Sequence, residues 1–308
     1  MRHCAKIALT CITAVQCLVG CGSADTKTST SSSPLFNDNS LLWEVTSQQG
    51  AVSHVFGTIH VSDTLVFQQR DTVLAILDKA TSFWAEINLD SAKDLRSGMG
   101  LISKLMLTDG KSLADFYSPT EYARIHATLV ERFGSMAPVM ERLKPGALVG
   151  ILMMDTVPTT AEMSVDEFLW RYATAKKIPV NGIERTEEQI TILDSMPSSI
   201  LLEAIDADSS QNIMLKQMLQ AYANEDIGHV VALVDSLSTV ESFMLTINDK
   251  RNVTMANRLQ NVLNRGGAFI AIGTAHLGGK QGFLAELHKQ GYEVRPVVGG
   301  KRIQWLAR

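Results

Sequence analysis

The tetrapeptide G-T-x-H ends two apolar stretches that lie far apart in the chain, Val55-Phe56-Gly57-Thr58-Ile59-His60 and Ile270-Ala271-Ile272-Gly273-Thr274-Ala275-His276. Both stretches are rich in β-branched and aromatic residues, a composition typical of buried β-strands. In open α/β sheets, ligands bind outside the carboxyl ends of the strands. The two stretches therefore predict strands that deliver His60 and His276 to one site.

Alternating strands and helices surround both copies of this tetrapeptide. On the N-terminal side we expect a β-hairpin over 41–46 and 53–57, a helix over 71–79 and a strand over 82–87 that ends near Glu86. On the C-terminal side we expect a helix over 253–264, a strand over 268–272, a helix over 282–290 and a strand over 293–298. The pattern predicts an α/β (α+β) fold with a central mixed β-sheet built from N- and C-terminal segments.

The middle of the chain, about 101–245, has mainly helical patterning. Three segments begin with the spacing of a capping box, a hydroxyl side chain three residues before Glu or Gln, at Ser118, Ser164 and Thr186. A short strand over 178–183 interrupts the helices and delivers Glu184. We interpret this region as a large helical middle section, inserted into the α/β domain and covering the site.

The first forty residues predict export and attachment to a membrane. Arg2 and Lys6 precede an apolar stretch over 7–19 that is too short for a membrane span, as in a secretory signal. The following Leu18-Val19-Gly20-Cys21 resembles the lipobox of bacterial lipoproteins. We therefore predict a lipoprotein signal peptide over 1–20, a lipidated Cys21, a flexible Ser/Thr-rich tether over 21–40 and a folded domain over 41–308. The resemblance implies a bacterial envelope protein, anchored in the outer membrane and facing the periplasm.

Composition excludes several functions. All four cysteines lie at or before Cys21, so the expected mature domain has no thiol for a disulfide, a metal site or a nucleophile. The formal net charge is −4, and acidic and basic residues are interspersed without a basic stripe, which makes nucleic acid an unexpected partner. Beyond the leader no apolar run reaches the length of a membrane span, so we expect membrane contact through the lipid anchor alone. The sequence predicts no oligomeric state.

The repeated tetrapeptide contains residues suited to chemistry. Gly57 and Gly273 are expected to permit a tight turn with positive φ and a close approach of the backbone to a ligand. A neutral imidazole binds divalent ions and titrates near neutral pH, so His60 and His276 suit metal binding or acid/base catalysis. Glu86 is the carboxylate best placed to complete the site. The sequence contains no H-E-x-x-H, G-x-S-x-G or G-x-G-x-x-G motif.

Several motifs occur in the order found in the TraB/GumN family, which the chain resembles over nearly its whole mature length. The matching residues are Leu42-Trp43-Glu44-Val45, Gly57-Thr58-Ile59-His60, Glu86, Gly182-Ile183-Glu184, Gln189, Arg251-Asn252, Gly273-Thr274-Ala275-His276-Leu277 and Gly279. That family includes the Tiki metalloproteases and is distantly similar to ChaN and to the erythromycin esterases.

The resemblance implies a metal-dependent hydrolase, and a peptidase in particular, that uses paired G-x-x-H motifs. His60 and His276 take the two histidine positions of the metal site, and Glu86 takes that of the catalytic glutamate. Arg251 is assigned to stabilising the oxyanion, while Glu184 and Asn252 match family positions of less defined role. An ion pair between Glu184 and Arg251 that orders the helical section is an equally weighted alternative. The expected cofactor is a divalent Mn, Co, Fe or Zn ion, and the expected partner is a peptide or other small substrate.

Three other functions stay open at this point. A metal-free hydrolase would use His60 and Glu86 as acid and base. A binding protein would hold a metal or haem without turnover. A regulatory lipoprotein would sequester a peptide signal and leave it intact.

Overall fold

The computed structural model describes residues 36, 38–93, 100, 103–155, 160–206, 209–235 and 240–305. The predicted signal peptide and Cys21 lie outside the described residues. None of the helices in these ranges combines the length and the apolar character that a membrane span requires.

Strands and helices alternate at both ends of the chain, as expected. The middle of the chain is mainly helical. The strands are β1 Leu42–Thr46, β2 Val52–Thr58, β3 Gln68–Arg70, β4 Ser82–Ile87, β5 Val180–Glu184, β6 Ala268–Gly273, β7 Glu293–Pro296 and β8 Arg302–Gln304. The helices are α1 Asp71–Leu77, α2 Leu89–Lys93, α3 Pro119–Phe133, α4 Ala137–Met140, α5 Pro145–Asp155, α6 Val165–Ala175, α7 Thr186–Ser195, α8 Ser199–Asp206, α9 Ser209–Ala223, α10 Ile227–Asp235, α11 Val240–Arg265 and α12 Phe283–Lys289.

Six strands form the central sheet in the order β5-β4-β6-β2-β1-β7. The strands β5, β4, β6 and β2 are mutually parallel, whereas β1 pairs antiparallel with β2 and with β7. Strand β6 is buried along its whole length, because it lies between parallel neighbours in the middle of the sheet. The fold class is confirmed: a mixed α/β architecture whose sheet joins N- and C-terminal segments.

The register of the parallel strands brings their carboxyl ends to one edge of the sheet. Thr58 of β2 is opposite Gly273 of β6, and Ile87 of β4 is opposite Glu184 of β5. Ala85 of β4 is opposite Ala271 of β6, so Glu86 lies next to the end of β6. Residues far apart in sequence thereby become neighbours at this edge.

The described residues divide into two compact units. The sheet unit consists of the described parts of Gly22–Asn88, Val157–Glu184 and Ile213–Arg308, and it holds all the strands together with α1, α6, most of α9, α10, α11 and α12. Its core includes the aromatic rings of Phe56, Phe83 and Phe269, whose centroids lie 6.1–6.3 Å apart in successive pairs.

The helical unit consists of the described parts of Leu89–Thr156 and Arg185–Asn212. Helix α3 begins with the predicted capping box, in which Ser118 Oγ accepts from the backbone N–H of Glu121 and Glu121 accepts from that of Ser118. The box predicted at Thr186 is wrong. Thr186 is the first residue of helix α7 and not its N-cap. The N-cap is Arg185, whose backbone N–H donates to Glu188 Oε2 at 2.8 Å.

The start of α11 and the start of the folded domain also differ from expectation. Helix α11 starts at Val240, well before the predicted 253, because the polar stretch around Asp249 continues the helix. The ordered fold already includes Ser40, the last residue of the predicted tether, which is fully buried and donates its hydroxyl to the carbonyl of Leu42 at 2.8 Å.

Candidate functional site

His60 lies in the loop that follows β2. Hydrogen bonds join this loop to the loop that precedes α6. The backbone N–H groups of Thr160 and Ala161 both donate to the carbonyl of Ser62, at 3.0 and 2.9 Å. The hydroxyl of Thr160 accepts from the backbone N–H of Thr64 at 2.8 Å. These bonds hold two loops together although they are far apart in sequence.

Between these joined segments, His60 makes a buried contact with Asp166. The Nδ1 atom of His60 lies 2.8 Å from Asp166 Oδ2, and both residues are less than a tenth exposed. The contact has ion-pair distance but not the alignment of a hydrogen bond, and the second ring nitrogen, Nε2, has no partner among the described residues. Burial on its own would lower the pKa of His60, but the carboxylates of Asp166 and Glu86 outweigh it and raise that pKa above its usual value.

His276 lies in a short 3₁₀ turn, Thr274–His276, directly after β6. Its Nδ1 atom is 2.7 Å from Asn252 Oδ1, and the amide nitrogen of Asn252 donates to the carbonyl of Gln281 at 2.8 Å. Because the Asn252 amide is oriented in this way, Oδ1 is the acceptor and Nδ1 of His276 carries the proton. The lone pair of the neutral ring is then on Nε2.

Burial and nearby charge keep His276 neutral. Removal from water has the largest effect, and the positive charge of Arg251 adds to it, so the pKa of His276 falls to about 3. Glu86 acts in the opposite direction without reversing the shift, whereas His60 lowers the pKa further. The two histidines therefore interact electrostatically and have pKa values shifted in opposite directions.

Glu86, Glu184 and Arg251 form a buried ion-pair cluster beside the histidines. The guanidinium of Arg251, on α11, donates from Nε and Nη2 to the two oxygens of Glu184 at 3.0 and 2.7 Å. Its Nη2 also donates to Glu86 Oε2 at 2.7 Å. The other oxygen of Glu86 accepts from the backbone N–H of Gly273 at 2.6 Å. Glu86 is thus held on both oxygens, at the end of the strand predicted to deliver it.

The structure therefore brings every residue of the predicted site to one edge of the sheet, apart from Cys21, which is not described. His60, Glu86, Glu184 and His276 come from the carboxyl ends of four parallel strands, and Arg251 and Asn252 come from adjacent positions on α11. The ion pair between Glu184 and Arg251 that we weighed as an alternative is present. The proton-accepting role of Glu86 and the oxyanion role of Arg251 stay predictions.

The expected conformation of the two glycines is wrong, because neither has a positive φ. Gly57 is required for a different reason. A Cβ atom there would lie 2.7 Å from Leu277 Cδ1 and 2.8 Å from Thr274 Oγ1. The hydroxyl of Thr274 donates to the carbonyl of Thr58 at 2.9 Å. The missing side chain lets the second tetrapeptide pack directly against the first.

Sequence reasoning missed two buried polar groups of the site. Asp166 lies in the first turn of the helix that begins after Ser164, where acidic residues are common, so its sequence position gives no sign of a second role. Tyr222, on α9, is fully buried and donates its hydroxyl to the carbonyl of Gly57 at 3.0 Å. Nothing in the local sequence distinguishes Tyr222 from a core residue, because its role depends on a contact with a distant strand.

The side chains of the site provide only some of the ligand atoms that a bound metal ion would need. The Nε2 atom of His276 has a lone pair, and the Nδ1 atoms of both rings face side-chain oxygens, as is usual for histidine ligands. In the described part of the chain, however, no three or more histidine, cysteine, aspartate or glutamate side chains are arranged to bind an ion together. The oxygens of Glu86 accept hydrogen bonds from Arg251 and from the backbone N–H of Gly273.

Comparison with known proteins agrees with the motifs. The model of the TraB/PrgY/gumN family matches residues 41–296. The human protein Metalloprotease TIKI1 is 24% identical over an alignment of 329 residues, which covers 86% of this chain and 63% of that protein. The chain thus spans less than two thirds of the length of this relative. No solved structure matches the chain.

Proposed function

Because this chain belongs to the TraB/PrgY/gumN family, we propose that it is a hydrolase that cleaves peptide bonds at the edge of the sheet where His60 and His276 lie. The distant similarity to a protein named as a metalloprotease supports this reaction class. The observation that carries the proposal is the pairing of each Nδ1 atom with a side-chain oxygen, Asp166 Oδ2 for His60 and Asn252 Oδ1 for His276. This arrangement leaves both Nε2 atoms for the reaction.

We assign His60 and His276 as the protein ligands of a divalent ion, Mn, Co, Fe or Zn. Bound there, the ion would supply Lewis-acid polarisation of the scissile carbonyl. The low pKa of His276 supports this assignment, because only a neutral ring can donate its lone pair. Glu86, Glu184 and Asp166 bring three carboxylates to the site against the single guanidinium of Arg251, and this excess of negative charge favours a cation.

Arg251 and Asn252 then have complementary structural tasks. Arg251 pairs with the buried carboxylates of Glu86 and Glu184 and so offsets part of the cost of burying their charges. Asn252 fixes the ring of His276. Because the two residues are adjacent on α11, that helix sets the position of both the charged cluster and the second histidine.

A metal-free hydrolase is the second candidate, and one observation favours it. The pKa of His60 is raised and that of His276 is lowered, and opposed shifts within one site are typical of acid/base pairs. In this case His60 would transfer the proton through Nε2 while Asp166 holds the other side of its ring. His276 would accept a hydrogen bond in the neutral form.

The test measures hydrolysis of a peptide library by the purified chain before and after chelation, and after addition of Mn, Co, Fe or Zn. His60→Ala and His276→Ala are compared with His229→Ala, which removes an exposed imidazole from α10. We expect loss of activity in the first two variants only. Hydrolysis that survives chelation would select the metal-free candidate, and peptide bound intact would indicate a regulatory binding protein. Activity equal to the parent in both site variants would overturn the proposal.

We also propose that the protein acts in the bacterial envelope, anchored through lipid on Cys21 and facing the periplasm. The charged start, the short apolar stretch and the cysteine at its end support this location. A peptide or other small molecule in that compartment would be the substrate.

A further inference from the structure

Asp166 is a buried carboxylate whose only contact at hydrogen-bond or ion-pair distance among the described residues is His60. It lies at the second position of α6, in the first turn, where an acidic side chain can interact with the free backbone N–H groups of the helix. Ser164 performs that task instead, since its hydroxyl accepts from the backbone N–H of Glu167 at 3.3 Å. A buried carboxylate is costly unless it is paired, so capping does not explain Asp166.

The position of Asp166 is fixed from several sides. The loop before α6 is bonded to the loop after His60 through Ser62 and Thr64, as described above. Further along the helix, the ring of Phe168 stacks on Trp305 at 5.2 Å, and Trp170 packs edge-on against Phe83 at 6.1 Å. These contacts anchor α6 to the core of the sheet unit. The carboxylate is thereby held beside the Nδ1 atom of the His60 ring.

We infer that Asp166 is a positioning residue that keeps the proton of neutral His60 on Nδ1 and so leaves the lone pair on Nε2. The inference rests on the proposed function and deepens it, because it gives the histidine of the first tetrapeptide a partner that the motif itself does not contain. A carboxylate accepts but does not donate, so it stabilises only the form of the ring that has a proton on the facing nitrogen. The imperfect alignment of the contact is usual in sites that tighten when substrate binds.

Asp166→Asn tests this role because it preserves the shape of the side chain and changes its hydrogen bonding. The amide can donate to Nδ1, which favours the other tautomer with the proton on Nε2. We expect kcat to fall by about 10²-fold to 10⁴-fold, as when an orienting carboxylate is lost from a catalytic histidine. Affinity for added Mn or Zn is expected to fall by about 10-fold to 100-fold.

Glu167→Gln is the matched control. It removes the same charge from the same turn of α6, but Glu167 is paired with the exposed Arg171 at 2.5 Å and not with His60. We expect its kcat and metal affinity to stay within about twofold of the parent. Asp166→Glu keeps the carboxylate and is expected to retain the Nδ1–H tautomer, which separates loss of the carboxylate from disturbance of the helix.

The decisive measurement is the tautomer of His60 by long-range ¹H–¹⁵N correlation NMR on the full chain, at alkaline pH where the ring is neutral. The expected result is Nδ1–H in the parent and Nε2–H in Asp166→Asn. An Nε2–H ring in the parent would overturn the inference even if no variant folded. If the parent does not hydrolyse peptides, the proposed function fails while the tautomer still tests Asp166. If the parent is active and Asp166→Asn matches it in rate and tautomer, only the inference fails.

Discussion

Replacing Arg251 by methionine tests the buried ion-pair cluster most directly. Arg251 is 6% exposed and makes three hydrogen bonds of 2.7–3.0 Å to Glu86 and Glu184. Methionine fills much of the same space but removes the positive charge that pairs with two buried carboxylates. Breaking a buried pair in this way costs about 3–5 kcal/mol in the free energy of unfolding, and the melting temperature should fall by roughly 6–20 °C.

Tryptophan fluorescence during urea unfolding is a suitable assay, because all four tryptophans, Trp43, Trp84, Trp170 and Trp305, belong to the sheet unit. The signal therefore follows the unit that contains the cluster. Circular dichroism of the whole chain provides an independent record of helix content. Both measurements use the same protein samples.

Arg295→Met is the control for loss of an arginine in the same unit. Arg295 is paired with Glu293 in a largely exposed position, and its removal should cost about 0–1 kcal/mol. The second comparison adds Glu184→Gln to Arg251→Met. It removes one of the two carboxylate charges with which Arg251 pairs and should recover part of the lost stability. A double variant no more stable than Arg251→Met, or a single variant as stable as the Arg295→Met control, would refute the electrostatic explanation.

Three further predictions concern separate parts of the chain. Gly57→Ala should destabilise the fold by about 1–3 kcal/mol and lower activity, because its Cβ meets Leu277 at 2.7 Å; Gly299→Ala, with open space around it, is the control in the same urea titration. The folded pKa of His276 is about 3 against an ordinary 6.5, so its contribution to stability is complete above 6.5 and is lost as the pH falls toward 3. His276→Gln should therefore lose less stability over that window, and an equal loss in urea midpoints would contradict the assignment. Cys21→Ser should abolish incorporation of labelled palmitate and release the protein from the membrane fraction, whereas unchanged labelling would exclude lipidation at Cys21.

The sequence was sufficient to predict the parts of the fold that have a local signal. Strand β4 has the predicted bounds, since its aromatic and apolar residues, interrupted only by Glu86, lie between Ser82 and Ile87. The capping box at Ser118 identified the start of α3 because both partners are three residues apart. At Arg185 the same reasoning failed, since two overlapping boxes compete and the backbone N–H of Arg185 uses Glu188.

The site was predictable to the extent that its residues follow strands. His60, Glu86 and His276 each end or follow a recognisable strand, and parallel pairing then makes them neighbours. Asp166 and Tyr222 were not predictable, because each sits on a helix and reaches the site through packing. The role of Gly57 was misjudged for a similar reason: the atoms that exclude a side chain belong to a segment more than two hundred residues later.

The order of strands in the sheet has a consequence for when the site is assembled. Strand β6 lies between β4 and β2, yet it comes long after both of them in the chain. Until β6 has been synthesised and inserted, β2 and β4 have no shared neighbour, and His60 and Glu86 have no second histidine beside them. Such distant pairings also form slowly. A chain emerging from the ribosome thus carries only separated parts of the site, and the site is complete only after this one late strand has been inserted.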